Sequence, residues 1–308
     1  MGKFNNIIFR NYFNHGDLHV CRSFIQYFIN NIHGYPFKLN HPRSKNTLGD
    51  LNIPVFWNSN QKPRTFDNRG YHIQYNTLII NTQYLAYNNY HFNKHRATLL
   101  TLWGIFNQTL NEVFNMELPK DYKQFLPKIN YNSFKIDNID IEIKNNPKRK
   151  ILICNNNFES NQSMNFNFDP VILELSQTFP EITFYITNKS NVINDNIVYV
   201  TDIIGEMECD LNEISYLSLF CDILIGRNSG PHTFCYTSDN LLNIEKKFIS
   251  FSPPSSLYGG VPEKWIDFGV KAITDKSECA QFFNIVKISD KERVFEICKI
   301  IGDKKLWG

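Results

Sequence analysis

Several familiar signatures are missing from this sequence, and each absence removes a class of function. The seven cysteines, an odd number, form no C-x-x-C pair. Cys154, Cys221 and Cys298 sit inside apolar runs, where cysteine acts as a small hydrophobe, so a reducing compartment fits best. Charge of one sign is also scarce. A formal net charge of +2 argues against a nucleic-acid or membrane-surface protein, and no basic block exceeds Lys148, Arg149 and Lys150, which read as a solvated connector. No apolar run approaches the length of a membrane span and the N-terminus has no charged-then-apolar leader, so the expectation is a soluble cytoplasmic protein. Neither a G-x-G-x-x-G nor a Walker pattern occurs, which counts against a dinucleotide-binding dehydrogenase and a P-loop enzyme. What is present is an ordinary globular balance, 42% hydrophobic and 20% charged over 308 residues, enough for two α/β domains.

The most informative stretch runs from Tyr216 to Thr237. The apolar run Ile223, Leu224, Ile225 reads as a buried strand beginning at Asp222. Gly226, Arg227, Asn228, Ser229, Gly230 and Pro231 then read as a tight polar turn, and a helix is expected from His232. Glycine permits close backbone approach, Pro231 has a φ suited to a first helical turn, and the leading N–H groups of a helix attract anions, phosphate above all. Many α/β proteins cap a helix this way for local reasons alone. The density of Arg227, Asn228, Ser229, His232 and Thr233 at the carboxyl end of one strand favours a ligand, because ligands of open parallel sheets sit at that edge.

The same arrangement opens the chain. Asn6 to Phe9 reads as a strand, followed by a polar segment containing His15, Gly16 and Asp17, and then by one helix carrying Leu18, Cys21, Phe24, Ile25, Phe28, Ile29 and Ile32 at helical spacing. Ile53 to Trp57 and Thr77 to Asn81 are expected strands, Lys94 to Asn115 a long helix, and 130–150 a linker whose Ile-alternating piece, Ile136 to Ile143, suits an edge strand or a crossing between domains. The second half alternates strands at Ile151, Ile182, Ile197, Asp222 and Lys247 with helices at Asp169, Leu211 and His232, closing with a helix over Asp290 to Ile301. That alternation predicts a parallel, doubly wound sheet. Loops leaving it at Asn155 to Asn157, Asn188 to Ser190 and Arg227 to Pro231 converge on one edge.

Two Rossmann-like halves, 1–145 and 146–308, with parallel sheets facing across a cleft, describe a GT-B architecture. The G-D-L-H of Gly16 to His19 resembles the G-D-x-x-H element of the heptosyltransferase-like glycosyltransferases of family 9. D-I-L-I-G-R-N-S-G-P-H-T is similar to the turn that opens a helix in their nucleotide-sugar domain. In that group His follows the Asp by three residues, whereas His19 follows Asp17 by two; His232 follows Pro231 directly, and Asn228 stands where Asp is common.

The resemblance implies transfer of a sugar from a nucleotide diphosphate to a glycan or lipid-linked saccharide, with inversion and without a metal. It also implies no cofactor beyond the donor substrate, no nucleic-acid partner and at most peripheral membrane contact. Such a reaction needs a base for the acceptor hydroxyl and N–H or positive character at the diphosphate. Asp17 is the candidate base, its alternative being a helix cap, and His15 and His19 could assist or be simply hydrogen-bonded. Ser229, Gly230, Pro231, His232 and Thr233 would hold the diphosphate with Arg227 as charge partner, unless Arg227 makes an ordinary ion pair. Asn155 and Lys189 are further binding candidates. No strict D-x-D occurs, and Asp137 and Asp140 read as solvated charges. Two alternatives stand: a GT-B-shaped nucleotide-sugar epimerase drawing on Glu206, Glu208 and Asp210, and a non-catalytic carbohydrate-binding protein.

Overall fold

The structure is a computed structural model describing residues 4–12, 14–43, 45–58, 70–82, 98–157, 165–227, 230–251 and 281–285, together with Lys299. It divides into two compact units, the first ending at Phe134 and regaining Tyr236–Leu241, the second taking Lys135–Cys235 and resuming after Leu241. The expected closing helix at 290–301 apart from Lys299, the start of the long helix at 94–97, and Asn228 and Ser229 lie outside the described residues.

The first unit is built on a five-stranded sheet of β1 (Asn6–Arg10), β2 (Phe37–Asn40), β3 (Val55–Phe56), β4 (Tyr71–Gln74) and β5 (Thr77–Asn81), ordered β3-β2-β1-β5-β4. All neighbours are parallel except β4 and β5, which pair antiparallel. Tyr75 and Asn76 turn between them with φ of 48° and 55°, the twin positive values of a tight hairpin turn. The single helix expected from Leu18 to Ile32 is two, α1 (His15–His19) and α2 (Arg22–Asn31). The break falls where the Cys21 N–H bonds Leu18, three residues back, and the single S–H of Cys21 lies between the carbonyls of Asp17 and Thr82, at 3.3 and 3.2 Å. Phe24 of α2 stacks on Phe106 of α3 (Thr98–Phe114) at 5.0 Å and on Phe125 at 4.7 Å, while Phe28 meets Phe9 of β1 edge-on at 5.9 Å. These fully buried rings make the core of this unit.

The second unit opens with α4 (Asp137–Asn145), where a strand was expected. The isoleucines alternate, yet only Ile139 is buried and Ile141 is 58% exposed. Asp137 and Asp140 sit in the first turn and Lys144 in the last, so the charges complement a helix dipole. Tyr185 and Tyr216 donate to Glu142 and Asp140 at 2.9 and 2.6 Å, tying α4 to this unit and leaving Phe134 as the end of the first.

There follow β6 (Arg149–Cys154), α5 (Asp169–Thr178), β7 (Ile182–Ile186), β8 (Ile197–Tyr199), α6 (Val200–Ile204), α7 (Leu211–Ser218), β9 (Ile223–Arg227), α8 (Gly230–Phe234), α9 (Ser238–Leu241), β10 (Lys247–Phe251) and β11 (Gln281–Ile285). Of these α9 belongs to the first unit, where Ser238 N–H donates to Pro127 at 2.8 Å. The six strands are all parallel in the order β11-β10-β9-β6-β7-β8, a doubly wound sheet whose direction of winding reverses between β6 and β9. Strands buried on both faces explain why Ile151 to Ile153 and Ile223 to Ile225 are unbroken apolar runs.

Candidate functional site

The carboxyl ends of β6, β7 and β9 gather most of the expected binding residues, in roles the sequence did not foresee. β9 runs two residues past the apolar triplet, so Gly226 and Arg227 belong to the strand and not to the turn. A Cβ on Gly226 would stand 2.8 Å from Cys154 Cβ and 3.0 Å from His232 Cβ. Glycine is therefore what lets α8 lie down against the strand. His232 is fully buried beneath it, Nε2 3.3 Å from the Leu224 carbonyl and Nδ1 3.2 Å from Ser250 Oγ. Those partners assign the proton to Nε2, with Nδ1 accepting from the Ser250 hydroxyl. Burial pushes the imidazole down to about 4, so the ring is neutral at pH 7 and cannot serve as a cation for phosphate. Pro231 and Thr233 are buried, and Gly230 is partly exposed.

Arg227 is the largest correction. Expected as a charge partner in an open turn or as a surface ion pair, it is fully buried. Its Nη1 donates to the carbonyls of Asn155 and Asn156 at 2.8 and 2.7 Å, and its Nη2 donates to the Phe166 carbonyl. The guanidinium carbon lies 4.7 and 4.5 Å from the ring centroids of Phe166 and Phe168. Arginine at a strand end has the length and the planar fork to bind several carbonyls while stacking on rings. It thus ties the segment leaving β6 to the segment entering α5, across the point where the sheet reverses.

Asn155 extends the ladder between β6 and β7 by one side chain. Its Oδ1 accepts from Asn188 N–H at 2.8 Å and its Nδ2 donates to the Asn188 carbonyl at 2.8 Å, while Thr187 Oγ1 accepts from Asn155 N–H at 3.2 Å. Beyond this bridge opens a pocket of ≈ 560 Å³, lined among others by Asn157, Phe166, Asp169, Asn188 and Lys189. Lys189 forms an exposed pair with Asp202 at 2.7 Å, whose hydrogen bond and charge raise its affinity for the proton. Asn155 and Lys189 therefore meet in one pocket, which Arg227 underpins. Gly230 to Thr233 do not line it, and neither do Glu206, Glu208 or Asp210. Burial raises the carboxyl of Asp210, as it raises that of Glu213. Phe166, Phe168 and Thr187 were not anticipated; the F-N-F immediately before the Asp169-Pro170 helix start was the available signal.

In the first unit, Asp17 is no N-cap. Asn14 caps α1, and Asp17, three residues in, accepts the Asn14 N–H at 3.3 Å, closing a capping box. Asp17 and His15 are both partly exposed at this end. His15 Nδ1 lies 2.6 Å from Thr47 Oγ1, with the His41 ring 6.2 Å away. His19 is different. It is fully buried, and burial, reinforced by the charge of Arg22 and opposed by a backbone contact at Tyr236, holds it well below the ordinary histidine range. The structure brings Asp17 and His15 to one helix start and turns His19 inward.

No protein-family model matches the chain, and no curated protein matches it. Among solved structures it is similar to the glycosyl transferase family 9 protein from Veillonella parvula, at 12% identity, 99% of this chain, 94% of that chain and TM-score 0.47. It is also similar to the E. coli ADP-heptose lps heptosyltransferase II, at 9% identity, 97% of this chain, 99% of that chain and TM-score 0.46. A third is the UDP-GlcNAc 2-epimerase from Neisseria meningitidis, at 11% identity, 97% and 92% coverage and TM-score 0.43.

Proposed function

We propose that the chain is a glycosyltransferase that moves a sugar from a nucleotide-diphosphate sugar to a saccharide hydroxyl. The observation that carries this reading is the ≈ 560 Å³ pocket at the carboxyl edge of a doubly wound parallel sheet, beside its reversal point. That is where open α/β sheets take ligands, and the volume suits a nucleotide. Its lining of asparagine amides offers both donors and acceptors for a base and ribose, and the Phe166 ring offers an apolar surface. Lys189 supplies positive charge beside the pocket, and the G-D-L-H and S-G-P-H sequence likenesses point to the same chemistry. In this reading Asp17 takes the acceptor proton in a single inverting displacement, with His15 beside it. Backbone N–H groups and Lys189 stabilise the departing diphosphate without a metal, and the reaction is cytoplasmic.

The test is a thermal-shift series with nucleoside diphosphates and their sugar conjugates, with and without magnesium. A ligand at 100 times its dissociation constant stabilises the native state by about 2.7 kcal/mol. One diphosphate should raise the melting temperature without magnesium, and Asn155→Ala should weaken its effect. No shift from any nucleotide at millimolar concentration would sink the proposal. Asp17→Asn should keep donor binding and lose transfer; unchanged turnover would remove Asp17 as the base.

A further inference from the structure

The first unit holds a charged group that the donor pocket leaves unused. Arg10 ends β1, the central strand, in register with Asn40 of β2 and Asn81 of β5, so the three side chains leave one face of the sheet at its carboxyl edge. Arg10 is only 2% exposed, yet its Nε and Nη2 have no hydrogen-bond partner among the described residues. Burial pushes the guanidinium down to about 10. One face of the guanidinium lies against the Tyr12 ring, 4.4 Å from its centroid, and Tyr12 in turn meets Trp57 edge-on at 5.3 Å. Trp57 follows β3 and is 45% exposed.

A ring against the face of a guanidinium leaves its in-plane N–H groups to be satisfied. Nε–H and the nearer Nη2–H point the same way, a two-pronged edge that matches the two oxygens of a carboxylate or phosphate. Leaving such donors buried and unmatched forfeits the hydrogen bonds they would make to water, more so for a charged group, and an anion would restore them. The neighbouring exposed indole is an apolar platform of the size of a sugar ring.

We propose that Arg10 anchors the carboxylate or phosphate of an acidic saccharide whose ring packs on Trp57. That this saccharide is the acceptor rests on the glycosyl-transfer reading; the binding itself does not.

The experiment is a ligand-observed NMR titration of the full chain, without nucleotide, using D-glucuronate, D-glucose 6-phosphate, D-glucose and inorganic phosphate. At least one acidic sugar should bind saturably and ten times or more tighter than glucose. Arg10→Gln should weaken it at least tenfold, Arg10→Lys less, and Trp57→Ala severalfold. Equal binding by wild type and Arg10→Gln would overturn the anchor. Inorganic phosphate binding as tightly as both acidic sugars, with Trp57→Ala without effect, would overturn the saccharide and leave a plain anion site. Should Arg10→Gln fail to fold, Trp57→Ala, at an exposed position, decides alone: no loss of acidic-sugar binding refutes the proposal. Acidic-sugar binding that persists when no nucleotide stabilises the protein would sink only the transfer reading. Nucleotide stabilisation without acidic-sugar binding would sink only this one.

Discussion

Burial of a neutral His232 makes a quantitative claim about pH. The ring titrates near 4 in the folded protein against 6.5 for an exposed histidine. Between those values the unfolded chain binds the proton and the folded chain does not, so stability rises with pH. The contribution is fully present above about 6.5 and is lost as pH falls toward 4. With those two proton affinities, the loss between pH 7 and pH 5 comes to about 2 kcal/mol. At a denaturant slope of about 2 kcal/mol per molar, that is on the order of 1 M in urea midpoint. His19 is also buried and neutral and contributes in the same direction, so the wild type alone does not isolate His232. The comparison that does is His232→Gln, whose packing cost is the same at both pH values. Urea unfolding followed by circular dichroism at pH 5 and pH 7 should show a smaller pH-dependent change in the variant, by about 2 kcal/mol. Equal pH dependence in the two proteins would mean that His232 titrates as a solvated histidine, and the account of the α8 packing would be wrong.

Two further outcomes follow from the same region. Gly226→Ala places a methyl group 2.8 Å from Cys154 Cβ in a fully buried strand, and should destabilise by about 1 to 3 kcal/mol in thermal unfolding; a melting temperature equal to wild type would refute the close approach of β9, β6 and α8. Lys189→Ala removes an exposed pair with Asp202, so its melting temperature should stay within about a degree of wild type while nucleotide-diphosphate affinity falls several-fold; a large loss of stability with unchanged affinity would assign the lysine to the fold instead of the pocket.

Much of the second unit was legible because a strand buried on both faces has nowhere to place a polar residue. The runs Ile151 to Ile153 and Ile223 to Ile225 therefore announce themselves, while β7 carries the buried Thr183 between Ile182 and Phe184. What defeated the sequence reading was polarity with a tertiary cause. Gly226 and Arg227 look like the start of a turn, but Arg227 is inside because carbonyls of Asn155, Asn156 and Phe166 receive its protons, contacts about 60 to 70 residues distant. Local periodicity cannot report such partners. Ile136 to Ile143 failed for the opposite reason: the alternation was real, but helix-compatible charge placement decided the backbone and only one isoleucine needed burial. In the first unit the G-D-L-H spacing was visible, but its consequence was not. Placing His19 two residues after Asp17 turned it inward while leaving Asp17 at the helix start.

The order of strands in the second sheet also constrains how the protein is made. β6 is central, yet its two neighbours, β7 and β9, come from very different distances along the chain. On the ribosome β6, β7 and β8 emerge first as a half-sheet, with one edge of β6 unpaired until Ile223–Arg227 has been synthesised. That edge is Ile-Leu-Ile, apolar on both faces and a template for mispairing. The delayed arrival of β9 both covers it and delivers Arg227, so protection of the β6 edge and assembly of the pocket wall are one event in folding, governed by long-range loop closure, with β10 and β11 still to be added outside β9.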